Sequence, residues 1–98
     1  MTALSETPLT DQTQIVATSE LVASELAGEV VILSLKSGLY YGLNEVGSCI
    51  WNLIQQPISV AEIRQALLSQ YEVEFDQCDR DLKALLSDLS HAGLVEIR

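Results

Sequence analysis

A chain of 98 residues is about one domain's worth of sequence, and its 48% apolar residues with a mean hydropathy of +0.24 suffice for a core, which excludes intrinsic disorder of the whole chain. Fourteen acidic residues against five basic ones give a formal net charge of -9. That balance opposes attraction to phosphate backbones and anionic lipid, so neither nucleic acid nor a membrane is expected as a partner.

Residues 1–14 are rich in Thr, Ser, Gln and acidic side chains and show no sustained periodicity, so they read as a mobile tail, with the domain proper over 15–98. They lack the basic and apolar regions of a signal peptide, and no later run is long enough to span a bilayer, so a cytoplasmic location is expected. Three short β-favouring runs follow, over 20–26, 29–35 and 39–43, separated by Ala27-Gly28 and Lys36-Ser37-Gly38. They predict an antiparallel meander in which Gly28 and Gly38 take the positive φ that tight hairpin turns require. In the middle run Val30 and Ile32 face one way and Val31, Leu33 and Leu35 the other.

Asn44 is placed as an N-cap for a first helix carrying Val46, Ile50, Leu53 and Ile54 and stopped by Pro57. Ser59-Val60-Ala61-Glu62 reads as a capping box, and Val60, Ile63, Leu67 and Tyr71 form the apolar stripe of the second helix. A third helix, capped by Asp76 or Asp79, aligns Leu82, Leu85, Leu86 and Leu89 and ends at Gly93 as its C′ residue. Residues 94–97 alternate weakly, as a closing strand or an extended tail would.

Reacting groups are scarce. His91 falls in the last turn of the third helix, where a cation complements the helix dipole. Cys49 and Cys78 have no Cys or His at metal-ligand spacing, so they read as reduced structural thiols, and neither metal nor cofactor is expected. No nucleophile elbow, phosphate-binding glycine loop or metalloprotease helix occurs, which argues against an enzyme. Two features do suggest binding. Glu72, Glu74, Asp76, Asp79 and Asp81 crowd carboxylates at the entry to the third helix, as a solvated face or a docking site for a basic peptide would. The run Leu39-Tyr40-Tyr41-Gly42-Leu43 has neither the charge nor the proline that usually blunts an edge strand, so it is either a covered core strand or a template for an added one.

Residues 31–54, V-I-L-S-L-K-S-G-L-Y-Y-G-L-N-E-V-G-S-C-I-W-N-L-I, are followed in order by S-V-A-E-I at 59–63, Tyr71-Glu72-Val73, Asp81-Leu82 with Leu85 and Leu89, and Gly93-Leu94-Val95. This series resembles the PqqD-like family of recognition elements for ribosomally synthesised, modified peptides. The resemblance implies an α+β, winged-helix-like fold: a three-stranded antiparallel sheet followed by three helices. It further implies a non-catalytic protein that takes up the leader segment of a precursor peptide as an added strand, in the groove between the third strand and the third helix. Carried over to this chain, Leu39, Tyr40, Tyr41, Gly42 and Leu43 supply the pairing backbone. Leu82, Leu85, Leu86 and Leu89 supply the apolar wall, with Asp79, Asp81 and Lys83 as flanking charge. The pattern is most similar to the free-standing leader-binding protein of lasso-peptide pathways, whose partner is a leader-processing cysteine protease or another maturation enzyme. The chain departs from the usual family pattern at Ser34, where many relatives carry Asp before the hairpin turn, and at Lys36-Ser37. The alternatives are a PqqD-type chaperone for another peptide-derived product and a winged-helix DNA-binding regulator. The regulator fits poorly with Asp76, Asp79, Asp81 and Asp88 set against Arg80 and Lys83 on the third helix.

Overall fold

The computed structural model describes residues 9–98. Chain order is β1 (Gln14–Ala17), β2 (Leu21–Leu26), β3 (Glu29–Ser34), β4 (Tyr40–Leu43), α1 (Glu45–Leu53), β5 (Ile58–Ser59), α2 (Val60–Gln70), α3 (Phe75–His91) and β6 (Val95–Ile97). The expected meander is present as an antiparallel sheet of order β2-β3-β4, followed by the three expected helices. A second three-stranded sheet, β5-β1-β6, was not expected as such. Its strands are two to four residues long and far apart in sequence, so no local hairpin signal announces them.

Turn chemistry explains the meander. Leu26 pairs with Glu29, leaving a two-residue hairpin loop in which Ala27 and Gly28 both have positive φ, +52° and +83°. That is the twist-matched primed turn, and glycine is free at its second position while alanine is strained at its first. At the second hairpin Gly38 has φ +74°, and the Ser34 hydroxyl accepts the Ser37 N–H at 3.2 Å. Ser34 thus braces the turn through its side-chain oxygen, a task to which a carboxylate is also suited.

The helices begin and end close to where the sequence places them, with one correction. Asn44 caps α1 by accepting the Gly47 N–H at 2.8 Å, and Ser59 and Glu62 form the capping box of α2. Gly93, at φ +78°, closes α3: its N–H reaches Ser90 O, and that of Leu94 reaches Leu89 O. His91 lies in the last turn of α3, as expected. Neither Asp76 nor Asp79, however, caps α3. The helix starts at Phe75, with Glu74 as N-cap, its carbonyl accepting the Cys78 N–H, and no side-chain cap bond. Asp76 falls inside the first turn, where its charge still suits the dipole.

One core joins both sheets and all three helices. Val30 and Ile32 of β3 meet Ile50, Trp51 and Ile54 of α1, Ile63 and Leu67 of α2, and Leu82, Leu86 and Leu89 of α3. Ile15 and Val95 seal it from the second sheet, with Leu94 buried just before β6. Each such aliphatic side chain stabilises the fold by about 1.5–3 kcal/mol on full burial.

Of the expected tail, residues 1–8 lie outside the described residues, whereas residues 9–14 are bound to the domain. Leu9 packs against the core, and the carbonyls of Asp11 and Thr13 accept the first two amides of α2, from Ala61 and Val60. The sole charged side chain in the described core, Arg64, is 7% exposed and bridges Asp11 at 3.0 Å and Asp79 at 2.8 Å, with its guanidinium 4.6 Å from the Phe75 ring centroid. A buried guanidinium is tolerated only when paired, so Arg64 ties the N-terminal arm to α3.

Two outcomes follow. Ala27→Gly relieves the left-handed strain and raises stability by roughly 0.5–1 kcal/mol, because relief exceeds the added chain entropy; thermal denaturation reads it as a higher Tm. Second, the Arg64 hydrogen bond holds the Asp11 carboxyl below its usual value. A carboxylate with a lowered folded-state pKa adds stability above its unfolded value, about 4, and that contribution fades as pH falls below it. Asp11→Asn is therefore less stable than the parent at pH 7, and the gap closes towards pH 3 in denaturant titrations.

Candidate functional site

Backbone pairing at β4 defines the site. β4 is the outermost strand of its sheet, and among the described residues nothing pairs with its far side. Tyr40, Tyr41, Gly42 and Leu43 stand opposite Leu33, Ile32, Val31 and Val30. The Ser34 N–H donates to Leu39 O at 2.9 Å, which sets the phase of the ladder. Hydrogen-bonded pairs recur every second residue, so Tyr41 faces β3 with its N–H and C=O, while Tyr40 and Gly42 turn theirs outward.

At the last inward position a side chain intervenes. The buried Ser48 hydroxyl accepts the Val30 N–H at 2.8 Å and donates to Leu43 O at 3.2 Å, standing where these two groups would bond each other directly. It satisfies both and fastens the first turn of α1 to the end of the sheet.

Where β4 ends, a cleft of about 410 Å³ opens. Asn44, Val46, Gly47 and Ile50 of the α1 segment line it, with Leu67, Tyr71 and Val73 from α2 and the loop after it, and Cys78, Asp81, Leu82 and Leu85 from α3. The wall is almost wholly apolar. Gly47 keeps it open at the strand end, where a Cβ would lie 3.3 Å from both Leu43 Cβ and Asn44 Oδ1.

The expected site residues divide accordingly. Tyr40 and Leu39 are 71% and 56% exposed, Gly42 is exposed, Tyr41 is half-buried over Ile32, and Leu43 is buried. Leu82, Leu85 and Asp81 line the cleft. Leu86 and Leu89 are core residues and do not: Leu86 follows Leu85 directly but is turned about 100° around the helix axis, onto the face buried in the core with Leu89. Asp79 and Lys83 pair with each other at 3.1 Å, and Asp79 also holds Arg64, so both belong to the arm latch rather than to the cleft. Sequence reasoning missed Asn44, Gly47, Val73 and Cys78 as wall residues, and it read Val46 and Tyr71 as core stripe. Apolar spacing alone does not separate a side chain facing a core from one facing a cleft beside it.

Neither thiol is activated. Burial, with Glu45 adding to it, pushes the Cys49 thiol up, and burial outweighs the opposing Arg64 at Cys78. Both therefore stay protonated near neutral pH. No group of His, Cys, Asp and Glu among the described residues is arranged to hold a metal ion, and no described helix is long and apolar enough to cross a membrane.

The edge, the cleft and the surrounding order of elements can now be set against known proteins. A family model for coenzyme PQQ synthesis protein D, PqqD, matches residues 29–95. This chain belongs to the PqqD family. Among solved structures it is similar to TbiB1 in complex with the TbiA(beta) leader peptide, at 34% identity and a TM-score of 0.78 over 83% of this chain and 94% of that one. It is also similar to a lasso peptide synthetase B1 complexed with the leader peptide, at 29% identity and a TM-score of 0.75 over 84% of this chain and 96% of that one. No curated protein matches it in sequence. The expected α+β fold and PqqD-like resemblance are thereby established.

The ladder phase yields a paired test within this PqqD-family domain. Proline removes one N–H, so Tyr41→Pro breaks an inward bond and destabilises the fold by about 3 kcal/mol or more, whereas Tyr40→Pro removes an outward donor and leaves the fold close to parental. Urea titrations of the two variants check this.

Proposed function

We propose that this protein binds the leader segment of a ribosomally synthesised precursor peptide as an added strand beside β4, with an apolar leader side chain in the cleft, and presents it to a leader-processing enzyme in the cytoplasm. The observation that carries the reading is the outward-facing backbone of Tyr40 and Gly42 next to a cleft that starts at the end of the same strand. Those residues offer two donors and two acceptors. Each backbone bond contributes about 0.5–1.5 kcal/mol net, so the cleft must supply much of the roughly 8 kcal/mol that micromolar binding needs. One buried leucine or aromatic side chain contributes about 1.5–3 kcal/mol towards it. The complexes of both similar proteins with leader peptides support the assignment of ligand.

The protein itself carries out no chemistry in this account, which the raised thiol pKa values support. Delivery to a protease, the role suggested by resemblance to lasso-peptide proteins, draws support from the outer face of the β2-β3-β4 sheet. There Val22, Leu33 and Tyr40 lie side by side in register, and Val22 is 50% exposed. An apolar row beside the leader-binding edge suits a second protein surface better than solvent.

Titration with the labelled leader of the precursor encoded nearest this gene tests the binding step. Tyr40→Pro, folded, weakens binding by about 1–3 kcal/mol, tenfold to a hundredfold, and Leu85→Asp weakens it similarly by placing a charge on the cleft wall. Native affinity in both folded variants contradicts the proposal. For the delivery step, Val22→Asp binds the leader normally but slows its removal by the partner enzyme; unaltered removal excludes that face.

A further inference from the structure

The cleft wall carries one charged side chain. Asp81, an exposed residue on the first half of α3, lines the cleft together with Leu82, Leu85 and Asn44. Its two carboxylate oxygens accept the Gln77 side-chain amide at 3.0 and 2.9 Å, and Arg80 donates to the Gln77 carbonyl oxygen at 3.2 Å. The carboxylate is thus oriented by a neutral amide. The nearby charges Asp79, Lys83 and Arg64 form their own network, and among the described residues no basic one lines the cleft. An occupant that is apolar throughout would displace part of the water around this exposed anion and add no partner to Gln77, and an acidic one would be repelled.

Resting on the strand-addition reading, we infer that the recognised peptide carries a lysine or arginine next to its cleft-filling apolar side chain on the same face of the added strand, and that Asp81 selects it. Residues i and i+2 of a strand point the same way, about 6.6 Å apart, so the cation belongs two positions from the anchor. Proximity in the sequence alone would not give that spacing. The selected cation would meet a carboxylate already held in place, which favours a charge-assisted bond.

The test uses the full chain, immobilised, and phage-displayed random twelve-residue peptides. Selection on the parent enriches an apolar residue with Lys or Arg two positions away, and selection on Asp81→Lys replaces that cation by Asp or Glu. A synthetic parent-selected peptide loses about tenfold in affinity when its cation becomes Glu and regains it on Asp81→Lys. On Asp81→Asn, which keeps the shape of the side chain, the preference disappears without reversing. The same charge preference on all three proteins, or none on the parent, overturns the role of Asp81. If those peptides still fail on Tyr40→Pro, strand addition stands and only the Asp81 assignment falls. If they bind Tyr40→Pro as well as the parent, both fall together.

Discussion

A strand inside a sheet satisfies its backbone on two sides, but β4 does so on one. Tyr41 spends its amide and carbonyl on Ile32, and by the two-residue alternation of an antiparallel ladder Tyr40 and Gly42 are left facing out. Proteins normally blunt such an edge with charge, proline or a covering segment. Here the edge is neutral, flanked by exposed Leu39 and Tyr40, and it leads into an apolar cleft. Among the described residues this edge has no strand beyond it, and the rest of the molecule braces it. The Ser48 hydroxyl locks the β3–β4 end to α1, Asn44 starts the helix directly after the strand, and α3 rests on the core through Leu82, Leu86 and Leu89 while offering Leu85 and Asp81 to the cleft.

That bracing matters energetically for the proposed strand addition, which makes few strong contacts. Four backbone groups contribute modestly after exchange with water, so affinity depends on the edge being ordered beforehand and on a pre-formed cavity for one anchor. The second sheet and the Arg64 latch serve this order from a distance. β1 joins the two chain-remote strands β5 and β6, and Arg64 pins the arm at Asp11 and the second turn of α3 at Asp79. The helix that borders the cleft is thereby fixed at its N-terminal end by residues from the start of the chain.

Local signals were the legible ones. Gly28, Gly38 and Gly93 at their positive-φ positions, the Asn44 cap, the Ser59–Glu62 box and the apolar stripes of the helices are contained in windows of a few residues, and each was read from them. What depends on distant partners was not. The three strands of the second sheet are too short to show alternation, and Arg64 in a stripe of apolar residues gives no hint that Asp11 will neutralise it. The site shows the same division. The edge position of 39–43 was suggested by its being the last of three consecutive strands, though a covered core strand remained the alternative. The cleft was not, because Val46, Tyr71 and Leu85 follow the same helical spacing as Leu86 and Leu89, which are buried.

Amide hydrogen exchange, resolved by residue with NMR, tests the edge most directly. In the free protein the Tyr41 N–H is protected by β3, while those of Tyr40 and Gly42 exchange rapidly. Saturation with the leader peptide should protect Tyr40 and Gly42 and leave Tyr41 unchanged. Tyr40 and Gly42 amides that still exchange rapidly in the saturated complex would contradict strand addition at β4.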